Sequence, residues 1–187
     1  MRYIIFAFFG MTLMGFSQVM NVETLRREAD STKWSGSVSI DLSLIKNTNT
    51  IYRIANKAHV QYKDSTNLWL LINDMDFQKT ENNPLVNRGY QHLRYNRTLS
   101  PNIKLEAFAQ AQYDAISEID FRGLLGTGPR FKLIKKKKHQ FYLGTLIMYE
   151  YEKASNAIDN RIQEDIRASS YLSFSIYPTE AISIIST

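Results

Sequence analysis

From Trp34 onward the chain alternates between apolar and polar side chains at successive residues, in segments of roughly 10 to 12. A period of two belongs to an extended strand with two unlike faces, whereas a helix repeats every 3.6 residues. The first segment sets Trp34, Gly36, Val38, Ile40, Leu42 and Leu44 against Ser35, Ser37, Ser39, Asp41 and Ser43. The second sets Tyr52, Ile54, Ala58, Val60 and Tyr62 against Arg53, Lys57, His59, Gln61 and Lys63. Later segments repeat the pattern. Leu105, Ala107, Ala109 and Ala111 oppose Lys104, Glu106, Gln110 and Gln112. Leu143, Thr145, Ile147 and Tyr149 oppose Tyr142, Glu150 and Glu152, and Ile166, Ala168 and Leu172 oppose Arg167, Ser169 and Tyr171.

Three segments are less regular. Between Leu68 and Phe77 only Asp74 and Asp76 mark the polar side. Between Val86 and Tyr95, Arg88, His92 and Arg94 share one face with Gly89, Gln91 and Leu93 opposite. Between Ile119 and Leu133, Asp120, Arg122 and Arg130 oppose Phe121, Leu125 and Phe131, and Gly123, Gly126 and Gly128 predict a bend or bulge. Turn-rich stretches separate the segments, among them Asp64-Ser65-Thr66, Asn82-Asn83-Pro84, Ser100-Pro101-Asn102 and the lysine run 135–138.

Segment length selects an architecture. Strands of soluble proteins average about 5 to 6 residues, while a tilted strand needs about 9 to 11 to cross a bilayer. The face carrying the apolar row is also free of ionisable side chains across its centre. Lipid demands this, because Arg or Lys on the lipid face at mid-bilayer costs about 2–4 kcal/mol. Aromatic residues cluster near the ends of these rows, at Trp34, Tyr52, Tyr62, Trp69, Phe77, Tyr95, Tyr113, Phe141, Tyr151 and Phe174. Interfacial girdles occupy those positions in a membrane barrel. The expected fold is an all-β, antiparallel up-and-down outer-membrane β-barrel with its polar rows lining the lumen. Eight full strands are visible, with a partial ninth near Ile182. Bacterial barrels have even strand numbers, so a truncated chain of an original ten to twelve strands is expected. The alternative is a soluble periplasmic or secreted β-barrel with an apolar ligand inside.

The N-terminus reads as an export signal at 1–17: Met1-Arg2, an apolar run from Tyr3 to Met14, then small residues at Gly15 and Ser17. A periplasmic segment at 18–33 would follow, and the barrel domain would occupy 34–187. Composition excludes several other classes. There is no cysteine, hence no disulfide framework, zinc ribbon or thiol nucleophile. The formal net charge of +5 is mild and partly concentrated in one lysine run. It lacks the clustered basic face of a nucleic-acid binder. One apolar run is too few for a multi-helix membrane protein.

Two blocks carry a family resemblance. Trp34-Ser35-Gly36-Ser37, continuing to Asn47-Thr48, resembles the opening of the domain-of-unknown-function 481 family. Gln112-Tyr113-Asp114, Phe121-Arg122-Gly123 and Gly126-Thr127-Gly128-Pro129-Arg130-Phe131 are similar to that family's central block. Lys46 stands where the family has a glycine before the Asn-Thr turn. Many of its members are described as salt-induced outer-membrane proteins. The resemblance implies an outer-membrane barrel of a double-membraned bacterium with no established activity, and it supplies no catalytic residues.

Bottom-up, the chemistry-bearing residues fall on the polar faces. Arg53, Lys57, His59, Asp74, Asp76, Arg88, His92, Arg94, Glu106, Asp120, Arg122, Arg130, Glu150 and Arg167 form the candidate lumen network. Mixed charges of this kind would plug a narrow barrel. No nucleophile elbow surrounds any serine, so His59 and His92 are expected to line the lumen rather than catalyse. Paired carboxylates at Asp74/Asp76 and Glu150/Glu152 lack a calcium-loop pattern. Gly123 to Gly128 lacks the Lys-Ser or Lys-Thr of a phosphate loop. No enzyme activity, metal or cofactor is expected, and no nucleic acid. The expected partners are outer-membrane lipid and the barrel-assembly machinery, and a polar lumen leaves room for a small solute. The lysine run at 135–138 is expected to be a solvated turn facing the periplasm.

Overall fold

A computed structural model describes residues 33–46, 49–80, 84–136, 139–154, 161–179 and 182–186. The leader at 1–17 and nearly all of the segment at 18–33 lie outside these residues, as do Lys137 and Lys138 of the lysine run. The described chain is all-β. Its strands are β1 (Trp34–Lys46), β2 (Thr50–Lys63), β3 (Asn67–Thr80), β4 (Pro84–Ser100), β5 (Ile103–Asp114), β6 (Ile119–Lys136), β7 (His139–Ala154), β8 (Ile162–Thr179) and β9 (Ile182–Ser186). Each pairs antiparallel with the next, giving one nine-stranded meander. Among the described residues, β1 pairs with β2 alone.

The first eight strands are 12 to 18 residues long, longer than the alternation predicts. The ladders run on past the apolar rows, because backbone pairing makes no demand on side-chain polarity. In β4, for example, pairing with β5 continues through Asn96, Arg97 and Thr98. The register is otherwise the one the alternation requires, with each apolar row meeting apolar rows on both neighbours. Trp34, Tyr62, Trp69 and Tyr95 are successive cross-strand partners. Their rings pack at 4.9 Å (Trp34 on Tyr62) and 4.4 Å (Trp69 on Tyr95). Phe141 and Phe174 stack at 6.1 Å at the same end of the sheet. Tyr52, Phe77, Tyr113, Phe121 and Tyr151 mark the opposite end, with Phe121 on Tyr151 at 6.3 Å.

Sidedness follows. On β7, Leu146 is 1 % exposed and its neighbour Ile147 is 64 %. The exposed row runs across the sheet through Ile40, Ile54, Leu71, Leu93, Leu125, Ile147 and Ile166. The buried row carries Asp76, His92, Arg94, Glu106, Arg130 and Glu150. The sheet curls toward its polar face far enough for Tyr171 of β8 to donate a hydrogen bond to Glu106 of β5. Enclosure of the polar row fails at β1. Its serines and Asp41 are largely exposed, and among the described residues no strand pairs with its outer edge.

The glycines of β6 do not make a bulge. The register with β5 is unbroken from Arg122 to Phe131, and the shifts lie at Ile119/Phe121, Lys132/Ile134 and Gln112/Asp114. The glycines clear space instead. A Cβ on Gly126 would strike the Phe108 ring, and one on Gly128 would lie 2.0 Å from the Thr145 carbonyl oxygen of β7. At the turn between β5 and β6 the Asp114 carboxylate accepts the Ile116 amide at 2.9 Å, and Glu118 takes a left-handed φ of 55°. Between β2 and β3, Asp64 Oδ1 accepts the amides of Thr66 at 2.8 Å and Asn67 at 2.7 Å. The Asn67 side chain and those two amides hold the Asp64 carboxyl down at about 2.

Two outcomes are expected. Gly128→Ala forces β6 and β7 apart and lowers stability by about 1–3 kcal/mol. Gly123→Ala, whose Cβ would meet only the Phe121 ring at 3.2 Å, stays close to wild type. Urea unfolding of the two variants compares them directly. Asp64 has a folded pKa below its unfolded one, so its contribution is complete above about pH 4 and is lost as pH falls toward 2. A carboxyl NMR titration should place its midpoint near 2, and a midpoint near 4 would refute the capped turn.

Candidate functional site

The enclosed polar face is the only place where the described residues concentrate chemistry. Three carboxylates organise it, each met by two guanidinium groups. Asp76 on β3 takes Arg53 Nη2 at 3.0 Å and Arg88 Nη2 at 3.7 Å. Arg53 Nε also donates to Asp76 Oδ1 at 3.1 Å, making a bidentate fork. Glu150 on β7 takes Arg122 Nε at 2.6 Å and Arg167 Nε at 3.0 Å. Glu106 on β5 takes Arg130 Nη1 at 3.4 Å and Arg94 Nη1 at 3.9 Å, with Tyr171 as a third donor. Antiparallel register explains the pattern. Asp76 lies directly opposite Arg88, and Leu124 directly opposite Glu150, which puts Arg122 one diagonal step from that carboxylate.

The Glu106 group is the most enclosed. Glu106 is 1 % exposed, Arg94 3 % and Arg130 2 %. Arg130 lies over the Tyr142 ring at 4.2 Å and Arg94 over Phe108 at 5.7 Å. Planar guanidinium groups suit such stacking. Arg94 Nε donates to His92 Nε2 at 3.2 Å, and His92 Nδ1 faces Gln110 Oε1 at 3.2 Å. The ring therefore carries its hydrogen on Nδ1, and donates it to Gln110. Gln110 passes the chain on to Gln112 at 2.7 Å. Every link joins side chains of one sheet face.

The remaining predicted residues sit at the margins. Lys57 faces Asp74 at 3.9 Å, with both side chains substantially exposed. His59 is buried on β2. Asp120 lies at the shift between Ile119 and Phe121 and pairs with Lys153 at 3.3 Å near the end of β7. The carboxylate pairs resolve into ion pairs. Asp76 and Asp74 face Arg53, Arg88 and Lys57, and Glu150 and Glu152 both face Arg122. His92 is held by Arg94 and Gln110.

The charge pattern gives no sign of the apolar part of this interior. Phe108, Leu124, Leu146 and Met148 form a buried cluster with Tyr171 packed against it. Leu70 and Ile72 form a second, with Tyr90 against it. Period two assigns a face by its charges, and these residues share that face with charges on either side. The signal that could have located them is glycine. Gly126 and Gly144 lie directly opposite Phe108 and Tyr171, and each leaves the space its partner ring fills.

The model of a family described as protein of unknown function, DUF481, matches residues 26–185. The chain belongs to that family. No curated protein and no solved structure matches it. The family match covers the described sheet from Trp34 to Ile185, including all three carboxylate groups.

Removing a carboxylate from the interior should cost more than removing one from its rim. Glu106→Ala leaves Arg94 and Arg130 buried without their counter-charge, a loss of about 3–5 kcal/mol. Asp120→Ala removes an exposed pair worth about 0–1 kcal/mol. Equal urea midpoints for the two variants would deny Glu106 its central role.

Proposed function

We propose that this chain is an outer-membrane β-barrel protein whose interior is closed by ion pairs, serving the envelope as a structural element or as a narrow path or sensor for small solutes. The observation that carries the reading is its inverted sidedness: apolar rows exposed, charged rows enclosed. In water the exposed row would be a large unpartnered apolar surface, which soluble monomers rarely keep. In a bilayer it meets hydrocarbon. From Trp69 to Phe77 on β3 the row spans nine residues, eight steps or about 26 Å at roughly 3.3 Å per step. From Tyr52 to Tyr62 on β2 it spans about 33 Å. Strand tilts of about 35–45° bring these lengths to the scale of an apolar band about 25 Å tall.

Closure completes the reading. An open sheet edge has no hydrogen-bond partner in lipid. β1 and β9 run parallel, so an up-and-down barrel cannot close between them. It closes between β1 and an even-numbered strand. Turn lengths fit the same picture. The turns after β2, β4, β6 and β8 have three, two, two and two residues, and those after β1, β3, β5 and β7 have three, three, four and seven. Short periplasmic turns and longer outer loops distinguish the two ends of such barrels. The Trp34–Tyr95 belt would then face the periplasm. Insertion would proceed through the barrel-assembly machinery after export by the leader.

The soluble-carrier alternative needs a mainly apolar interior. Among the described residues the buried set holds seven apolar side chains against twelve polar or charged ones. The proposal assigns no reaction, metal or cofactor to this interior.

Fractionation tests it. The protein should sediment with outer membranes, resist extraction by buffer and high salt, and shift its gel mobility on heating. Recovery in buffer without detergent would refute the membrane location.

A further inference from the structure

The three carboxylate groups of the enclosed face are not equally balanced. Arg53 grips Asp76 through two bonds, at 3.0 and 3.1 Å. Glu150 is met at 2.6 and 3.0 Å, and its two arginines have further acids to hold. Glu152 lies 3.3 Å from Arg122, and Asp165 lies 3.2 Å from Arg167. Glu106 is met at longer range, 3.4 Å from Arg130 and 3.9 Å from Arg94. The second of these is beyond hydrogen-bond length. Between His92 and the Trp34–Tyr95 belt, Glu106 is the only carboxylate that the described strands place on the enclosed face. Around it stand the buried Arg94 and Arg130, with Lys104 and Lys132 half-buried on the same rows. Lys104 lies directly opposite Arg130.

Two groups in this half have donor capacity that the fold leaves unused. A guanidinium carries five N–H donors. Among the described residues that of Arg94 makes one hydrogen bond, from Nε to the neutral His92 ring at 3.2 Å. Tyr90 is the second group. It lies opposite Asp74 in the register, yet its ring packs against Leu70 and Ile72, the partners of Arg94 and His92. The side chain therefore leans along β4 toward Arg94, and it stacks on His92 at 6.0 Å. Its hydroxyl is buried and has no hydrogen-bond partner among the described residues. A buried cation short of acceptors and a buried hydroxyl with none are both costly.

We propose that this half of the enclosed face binds a small oxyanion, of the phosphate or carboxylate class, met by the Arg94 guanidinium and the Tyr90 hydroxyl. The inference deepens the small-solute part of the reading above and rests on it. The unused capacity consists of donors, so the complementary ligand brings acceptors. Four cationic side chains around one carboxylate select a ligand that is negative. Water supplies an acceptor but leaves that excess in place, and a metal cation adds to it. A planar guanidinium edge matches two oxygens of a single oxyanion, and a phenolic hydroxyl donates to a third. The outer half lacks this capacity, because its arginines are already divided among Asp76, Glu150, Glu152 and Asp165.

Inorganic phosphate is the probe. The purified full chain, in detergent micelles or in buffer as its fractionation dictates, is titrated with phosphate and, at matched ionic strength, with chloride. Thermal unfolding and calorimetry read the binding, and near-ultraviolet circular dichroism checks that each variant is folded. Phosphate should raise the unfolding temperature of the wild type saturably and beyond the effect of chloride. Tyr90→Phe deletes only the unpartnered hydroxyl. It should unfold at the wild-type temperature or above without phosphate, and weaken phosphate affinity about tenfold. Arg94→Gln should abolish saturable binding. Tyr149→Phe, a hydroxyl deletion on the opposite face, should bind as the wild type does. Folded wild type that phosphate stabilises no more than chloride overturns the site. Affinity unchanged in Tyr90→Phe overturns its placement, whether or not Arg94→Gln folds. Saturable binding by protein recovered in buffer without detergent overturns the membrane location and leaves the oxyanion site standing.

Discussion

A strand has two faces, and a slip of one residue in any ladder exchanges them. That constraint governs this molecule. Eight long strands are paired so that apolar rows adjoin apolar rows and charged rows adjoin charged rows, and a single-residue slip would place Arg, Asp and Glu among Ile and Leu. The register is protected from both sides. On one face, Trp34, Tyr62, Trp69 and Tyr95 stand in line across four strands. On the other, Asp76, Glu106 and Glu150 each meet arginines only in the observed alignment. Shifts are confined to places near strand ends, where little of either row remains to be mismatched.

The interior resolves a problem of size. A narrow sheet enclosing its polar face must desolvate charges, and isolated buried charges are costly. Arginine suits the task because its planar group can grip a carboxylate with two parallel bonds and also stack on a ring. Arg53 does the first with Asp76, and Arg130 does the second on Tyr142. Apolar side chains then fill the space between charged groups. Phe108 over Gly126 and Tyr171 over Gly144 show how it is done: one strand gives up a side chain so that its partner's ring can lie flat.

The chain belongs to a family of unknown function, and its enclosed face is organised by ion pairs. Asp76, Glu106 and Glu150 are each held by arginine, and His92 has both ring nitrogens engaged. On the outer row an amide ladder from Asn56 to Gln91 and the Ser170–Thr145 pair interrupt the apolar side chains.

The sequence by itself determined the strand class, the approximate strand borders and the sidedness. All three follow from period two, which is local and survives without knowledge of any partner. It also placed the candidate charges on one face, because parity within a segment is enough for that. Only the tertiary structure decided which arginine meets which acid, that Asp120 stays at the rim, and that Tyr171 reaches Glu106 across three ladders. Those pairings depend on how neighbouring segments are aligned and how strongly the sheet curls, and neither quantity is written in any one segment. The glycines mark the boundary between the two kinds of knowledge. Composition announces that β6 has room to spare, but the ring that fills the room belongs to another strand.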